Sequence, residues 1–154
     1  MAGFAHTTAH GQLVIETFAF MAPNRRILNL PELLSAAPTR GSDKVIPAVG
    51  GVRSRRRRVA SADRTLELVL RGDVDESGAI TADPLATLVD LINALVELAE
   101  PVATGDGTRS ATLTRPDSTT STKPITVVGF EVGQMAGPTA VYAAFDIVIP
   151  SGRF

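Results

Sequence analysis

The sequence predicts a mostly-β domain, a β-sandwich or partly closed barrel flanked by one α-helix at about 83–100. Three observations predict it. Segments with the two-residue apolar/polar alternation of a half-buried strand lie on both sides of the chain's middle. Only one segment repeats its apolar residues at helical spacing. A lone amphipathic helix has no second helix to pack on, so it must lie across a sheet.

The elements follow in order. Residues 1–11 carry no pattern and are expected to be a flexible N-terminus, which leaves 12–154 as one domain. Gln12–Phe20 is β-branched, aromatic and apolar, and suits a strand. After a break at Ala22-Pro23-Asn24, Arg25–Leu30 suits a second strand, expected to form a hairpin with the first and to end at Pro31. From about 31 to 54, Pro31, Pro38, Pro47, Gly41, Gly50 and Gly51 interrupt any period. A connection that long is unusual in a compact domain. It reads as a flexible surface loop or as an arm that orders against a neighbouring subunit. Its apolar Leu33, Leu34, Val45, Ile46 and Val49 favour the arm, because a solvated loop has no use for them.

Arg55–Ala60 is expected to pair, through a turn at Ser61–Asp63, with Arg64–Arg71. The latter alternates: Leu66, Leu68 and Leu70 face one side, Thr65, Glu67, Val69 and Arg71 the other. Gly72–Ala82 is a turn region. Asp83 is suited to cap the helix and Pro84 to its first position. Leu85, Leu88, Val89, Ile92, Leu95, Val96 and Ala99 form one apolar stripe, and Pro101 closes the segment. The last third holds a strand at Arg109–Arg115 and a Ser/Thr-rich turn over Pro116–Lys123. A strand at Ile125–Val132 follows, with a bulge signal at Gly129, and then a turn at Gly133–Pro138. The final strand, Thr139–Ile149, is apolar on both faces, so it is central or covered by another subunit.

Composition narrows the function. The 154 residues allow one domain with a real core, and 44% hydrophobic content excludes a disordered chain. With six Phe, one Tyr and no Trp, that core must be largely aliphatic, which points towards support from neighbouring subunits. A formal net charge of −1 gives no global attraction to nucleic acid or anionic lipid. The absence of Cys excludes disulfides, thiolate metal sites and thiol nucleophiles. No apolar run approaches the ~18 residues of a membrane span. Met1–His10 has neither the basic cluster nor the apolar run of a secretory signal.

Catalytic chemistry is poorly supplied. Both histidines, His6 and His10, fall in the N-terminal stretch. No nucleophile elbow or phosphate-cradling glycine loop appears. No catalytic residue, no cofactor and no enzymatic activity are expected. Asp73, Asp75 and Ser77, followed by Gly78 and Ile80, match the start of an EF-hand calcium loop. The twelfth position, where a bidentate Glu belongs, is Pro84, and the competing reading is a polar turn built on Asp, Ser and Gly. Arg71-Gly72-Asp73 spells an integrin-type tripeptide of the kind that arises by chance. The densest charge run, Arg53 and Arg55–Arg58, has three readings. It is a solvated surface, a subunit interface whose acidic partners come from a neighbour, or a phosphate grip that lacks the aromatic residues of single-strand binders.

The segments Arg26–Ser35 and Arg40–Pro47, followed by the arginine-rich stretch, resemble minor tail proteins of long-tailed phages infecting actinobacteria. The order of pieces is also similar to distal tail and tail-tube proteins. The resemblance implies a tail-tube-like fold, six copies in a ring around the DNA channel at the tail tip, and no catalytic residues. It implies partners among other tail proteins (tail tube, tail hub, tape measure), DNA only as cargo, no membrane, and a place in the virion after synthesis in the host cytoplasm. A repeating tail-tube subunit is the near alternative and a basic nucleic-acid-binding module the more distant one. The candidate interface residues are Leu33, Leu34, Arg40, Asp43, Val45, Ile46, Arg55, Arg56, Arg57 and Arg58.

Overall fold

The alternation read in the sequence is used at the centre of the molecule. A computed structural model describes residues 11–40, 44–46, 51–53, 58–102, 105 and 107–154. Strand β8 (Ala62–Arg71) pairs antiparallel with β11 (Ala140–Ile149) along its full length, from Ala62 opposite Ile149 to Arg71 opposite Ala140. Leu66, Leu68 and Leu70 meet Val141, Ala143, Phe145, Ile147 and Ile149 in one buried layer.

Five more strands complete the sheet: β1 (Gln12–Ile15), β2 (Phe18–Ala19), β3 (Arg25–Ile27), β9 (Arg109–Thr114) and β10 (Thr120–Gly137). Their order is β2-β1-β9-β10-β11-β8-β3. The long β10 is the pivot. Thr120–Ile125 pairs with β9, and Thr126–Gly137 pairs with β11. A register shift between Val127 and Gly129 bends the strand where the bulge was expected. One strand thus serves two differently inclined ladders, and the sheet curls into a half-barrel. Of the two forms expected, the main sheet takes the partly closed barrel.

Helix α1 (Pro84–Ala99) fills the inside of the curl, packing against β10 and β8. Asp83 caps it as predicted, its Oδ1 accepting from the backbone N–H of Ala86 at 3.1 Å. Asp83→Ala is expected to lower stability by about 1 kcal/mol, with Asp83→Asn close to wild type, as read from urea midpoints. The buried face differs from the predicted stripe. Leu88, Leu91, Leu95 and Leu98 enter the core, while Leu85, Val89 and Val96 are 60%, 53% and 44% exposed. The helix is apolar around more than half its girth, so spacing alone does not select the face.

Several pairings also differ from expectation. Gln12–Phe20 is not one strand. It doubles back at Glu16-Thr17, where Glu16 takes φ 56°, so that Ile15 pairs with Phe18. Arg25–Ile27 pairs with β8, not with β1, whose other partner is β9. Pro31 does not end a strand but opens a short 3₁₀ turn, Leu30–Leu34. The expected turn at Pro116–Lys123 is shorter, because Thr120–Lys123 already belongs to β10 and Thr122 shares a 2.8 Å hydroxyl contact with Thr112. The expected turn at Gly133–Pro138 is likewise shorter, since β10 runs to Gly137.

The base of the long connection is also paired otherwise. Strand β4 (Thr39–Arg40) pairs with β7 (Arg58–Val59), and β5 (Lys44–Ile46) pairs with β6 (Gly51–Arg53). Of the expected strand Arg55–Ala60, Arg55–Arg57 lie outside the described residues, and Arg58–Val59 pairs with β4 and not with Arg64–Arg71.

Candidate functional site

The predicted interface residues separate into three groups. Leu33 is a correction: the 3₁₀ turn sends it into the chain's own core at 2% exposure, so it is not available to a neighbour. Leu34, next to it, points out at 47%. Arg40, Val45 and Ile46, with Arg58, lie on the small ladders, Arg40 opposite Arg58 and Val45 opposite Val52. Asp43, Arg55, Arg56 and Arg57 lie outside the described residues, as do His6 and His10. The ladders form two-stranded sheets of their own, apart from the seven-stranded sheet. The first of them lies next in the chain to the sheet's Ala62–Ile149 end, where the Ala60 N–H donates to the Pro38 carbonyl at 2.8 Å.

The loop between β8 and α1 is held by its own polar groups. Asp73 accepts from Arg71 Nε at 2.9 Å and from Nη2 at 2.5 Å. That pairing holds the Asp73 carboxyl below its ordinary range. Asp75 Oδ1 accepts from the Ser77 hydroxyl and from the N–H groups of Ser77 and Ala79, all within 2.9 Å, which also pulls its carboxyl down. Glu76 reaches back to Arg25, whose Nη2 donates to it at 2.7 Å while the guanidinium lies 4.3 Å over the Phe18 ring. Asp73, Asp75 and Ser77 therefore do the work of a turn. Among the described residues, no cluster of three His, Cys, Asp or Glu side chains stands together as a metal site.

An open concavity lies elsewhere, on the outer face of the β10–β11–β8–β3 half of the sheet. It is an open groove of about 520 Å³. Leu28, Val132 and Tyr142 supply apolar surface, and Glu67 and Glu131 flank it. Alternation along the strands puts Asp63 and Asp146 on the same face. The strand edge beside the groove is bare: among the described residues, Thr126–Gly137 has β11 on one side and no strand on the other. Exposed Val128, Val132 and Met135 follow that edge.

A curled sheet wrapped on one helix, with two small separate ladders and a bare edge on β10, can be compared with solved structures. It is similar to the crystal structure of the Dit protein of phage SPP1, described as a paradigm of the hub adsorption apparatus in phages infecting Gram-positive bacteria. The fold is Dit-like. The TM-score is 0.56 at 12% sequence identity, over 92% of this chain and 50% of that one. The chain thus spans about half the length of the SPP1 protein. No family model matches the sequence, and no curated protein matches it. A likeness at this identity is one of fold.

The sequence reading missed the groove of this Dit-like domain. Its signal was present in part: Glu67 and Tyr142 stood on the outward sides of the two clearest strands, and β11 read as apolar on both faces. What was missing was the pairing that places them side by side.

Proposed function

We propose that the chain is a structural protein of a long-tailed phage, six copies of which close into a ring around the DNA channel at the distal end of the tail. The observation that carries this reading is the Dit-like fold combined with a sheet whose outer face and one edge are left bare. A long exposed strand edge with apolar neighbours is a liability for a solitary domain and an asset for a subunit. The long connection between β3 and β8 and the arginines at 55–58 supply length and charge for contact with the next copy. The resemblance at Arg26–Ser35 and Arg40–Pro47 supports an actinobacterial host.

In this reading the chain has no catalytic step. Its partners are further copies and the adjoining tail proteins: tube, hub and tape measure. DNA passes as cargo, and the protein ends in the virion. Among the described residues, no helix is long and apolar enough to cross a membrane.

Mass photometry with sedimentation velocity on the purified chain tests this. A discrete species of six chains is expected. A monomer at every concentration reached would overturn the reading, and open-ended polymers would replace it with that of a repeating tube subunit.

A further inference from the structure

The groove on the outer face carries the charge sign that complements one segment of the same sequence. Glu67 and Glu131 flank it, Asp63 and Asp146 share its face, and the carboxylates of Glu67 and Glu131 make no ion pair among the described residues. Of the cations on this face, Arg71 is held by Asp73, and Arg26 stands beside Leu28. Tyr142, 42% exposed, offers a ring within the groove. Such a surface suits a guanidinium, which pairs with carboxylates through its planar fork and stacks on aromatic rings.

The chain holds its complement. Arg53 and Arg55–Arg58 put five arginines within six positions, and without them the formal net charge of −1 would be −6. Charge is therefore segregated: a basic segment against an acidic body. The segment's described end, Arg58–Val59, precedes β8 by two residues, at the Ala62 end. Glu67 lies five residues further on, roughly 16 Å along the strand. A head-to-tail neighbour can lay its arginine-rich segment across this face, and the bare edge of β10 beside the groove can accept a strand from it.

We infer that the groove formed by Leu28, Glu67, Glu131, Val132 and Tyr142 is the receptor for the arginine-rich segment of a second copy. The contact is heterologous: each chain gives one segment and receives one. The inference rests on the ring reading above and names the surface that joins its subunits. It also predicts association that weakens as salt rises.

Charge reversal tests it. Glu67→Arg with Glu131→Arg is expected to weaken self-association about 100-fold in sedimentation, and Arg55→Glu with Arg57→Glu to do the same. The chain carrying all four changes is expected to regain association to within about tenfold of wild type, because the pairing is restored with its sign exchanged. Both glutamates are exposed, so the variants are expected to fold, with circular dichroism and melting temperature as the check. If wild type assembles and the groove variant assembles equally well, the inference falls while the ring reading stands. If wild type is monomeric, both fall. Loss of association in the groove variant alone, with the arginine variant unaffected, overturns the choice of segment. A fall in melting temperature with unchanged association assigns the segment to its own chain and overturns the second copy.

Discussion

Phe145→Ala is expected to lower stability by about 3–5 kcal/mol, the usual range for emptying a buried Phe site. Against a typical total of ~5–15 kcal/mol, that brings the domain close to unfolding. Phe145 is fully buried at the middle of β11. Its ring meets Phe20 edge-on at 5.4 Å between centroids and Phe130 at 6.1 Å, and Phe20 in turn meets Phe18 at 5.0 Å. Four of the chain's six Phe residues therefore form one run that ties the β1–β2 turn to β10 and β11. Apart from Met21 and Phe154, the rest of the core is aliphatic. Urea denaturation followed by far-UV circular dichroism checks the value. Phe145→Leu is expected to recover most of the loss, because it restores volume without the edge-on contact.

Gly72→Ala is expected to cost about 3 kcal/mol, at the upper end for overpacking. Gly72 follows β8 directly, and its N–H donates to the Thr139 carbonyl at 2.9 Å. A Cβ there would stand 1.9 Å from the Pro84 carbonyl oxygen and 2.9 Å from Leu88 Cβ. The first obstacle is backbone, so no rotamer change relieves it. Either β8 or the start of α1 must move, and α1 cannot shift without disturbing Leu88, Leu91, Leu95 and Leu98 together. The expected signature is a lowered urea midpoint with reduced protection of α1 amides in hydrogen exchange. Gly72→Ser is expected to behave alike, which separates the steric cause from a change in polarity.

How much of this was legible in the sequence depends on the range of the interaction involved. Asp83 and Pro84 mark the helix start through contacts within one turn, and they read correctly. The alternation in Arg64–Arg71 and Thr139–Ile149 gave the buried faces of β8 and β11. Pairing is another matter. Arg25–Ile27 could hydrogen-bond to β1 or to β8 with equal local propensity, and the choice of β8 is made by the curl of the whole sheet. Thr120–Lys123 looks like a turn because it is polar, yet threonine suits a strand and β9 supplies the partner. The helix stripe was right at Leu88, Ile92, Leu95 and Ala99 and wrong at Leu85, Val89 and Val96, because Leu91 and Leu98 compete with the valines on nearly equal terms. For the candidate site, the arginine run and the long connection were visible as composition. The groove was not, since its residues come from four segments that only the sheet order brings together.

The central claim is that this chain closes with copies of itself into a ring. Averaged electron micrographs of the purified protein test it most directly. Annular particles with six-fold symmetry and an open centre are expected. Single-chain particles with no central opening, at every concentration imaged, would contradict it.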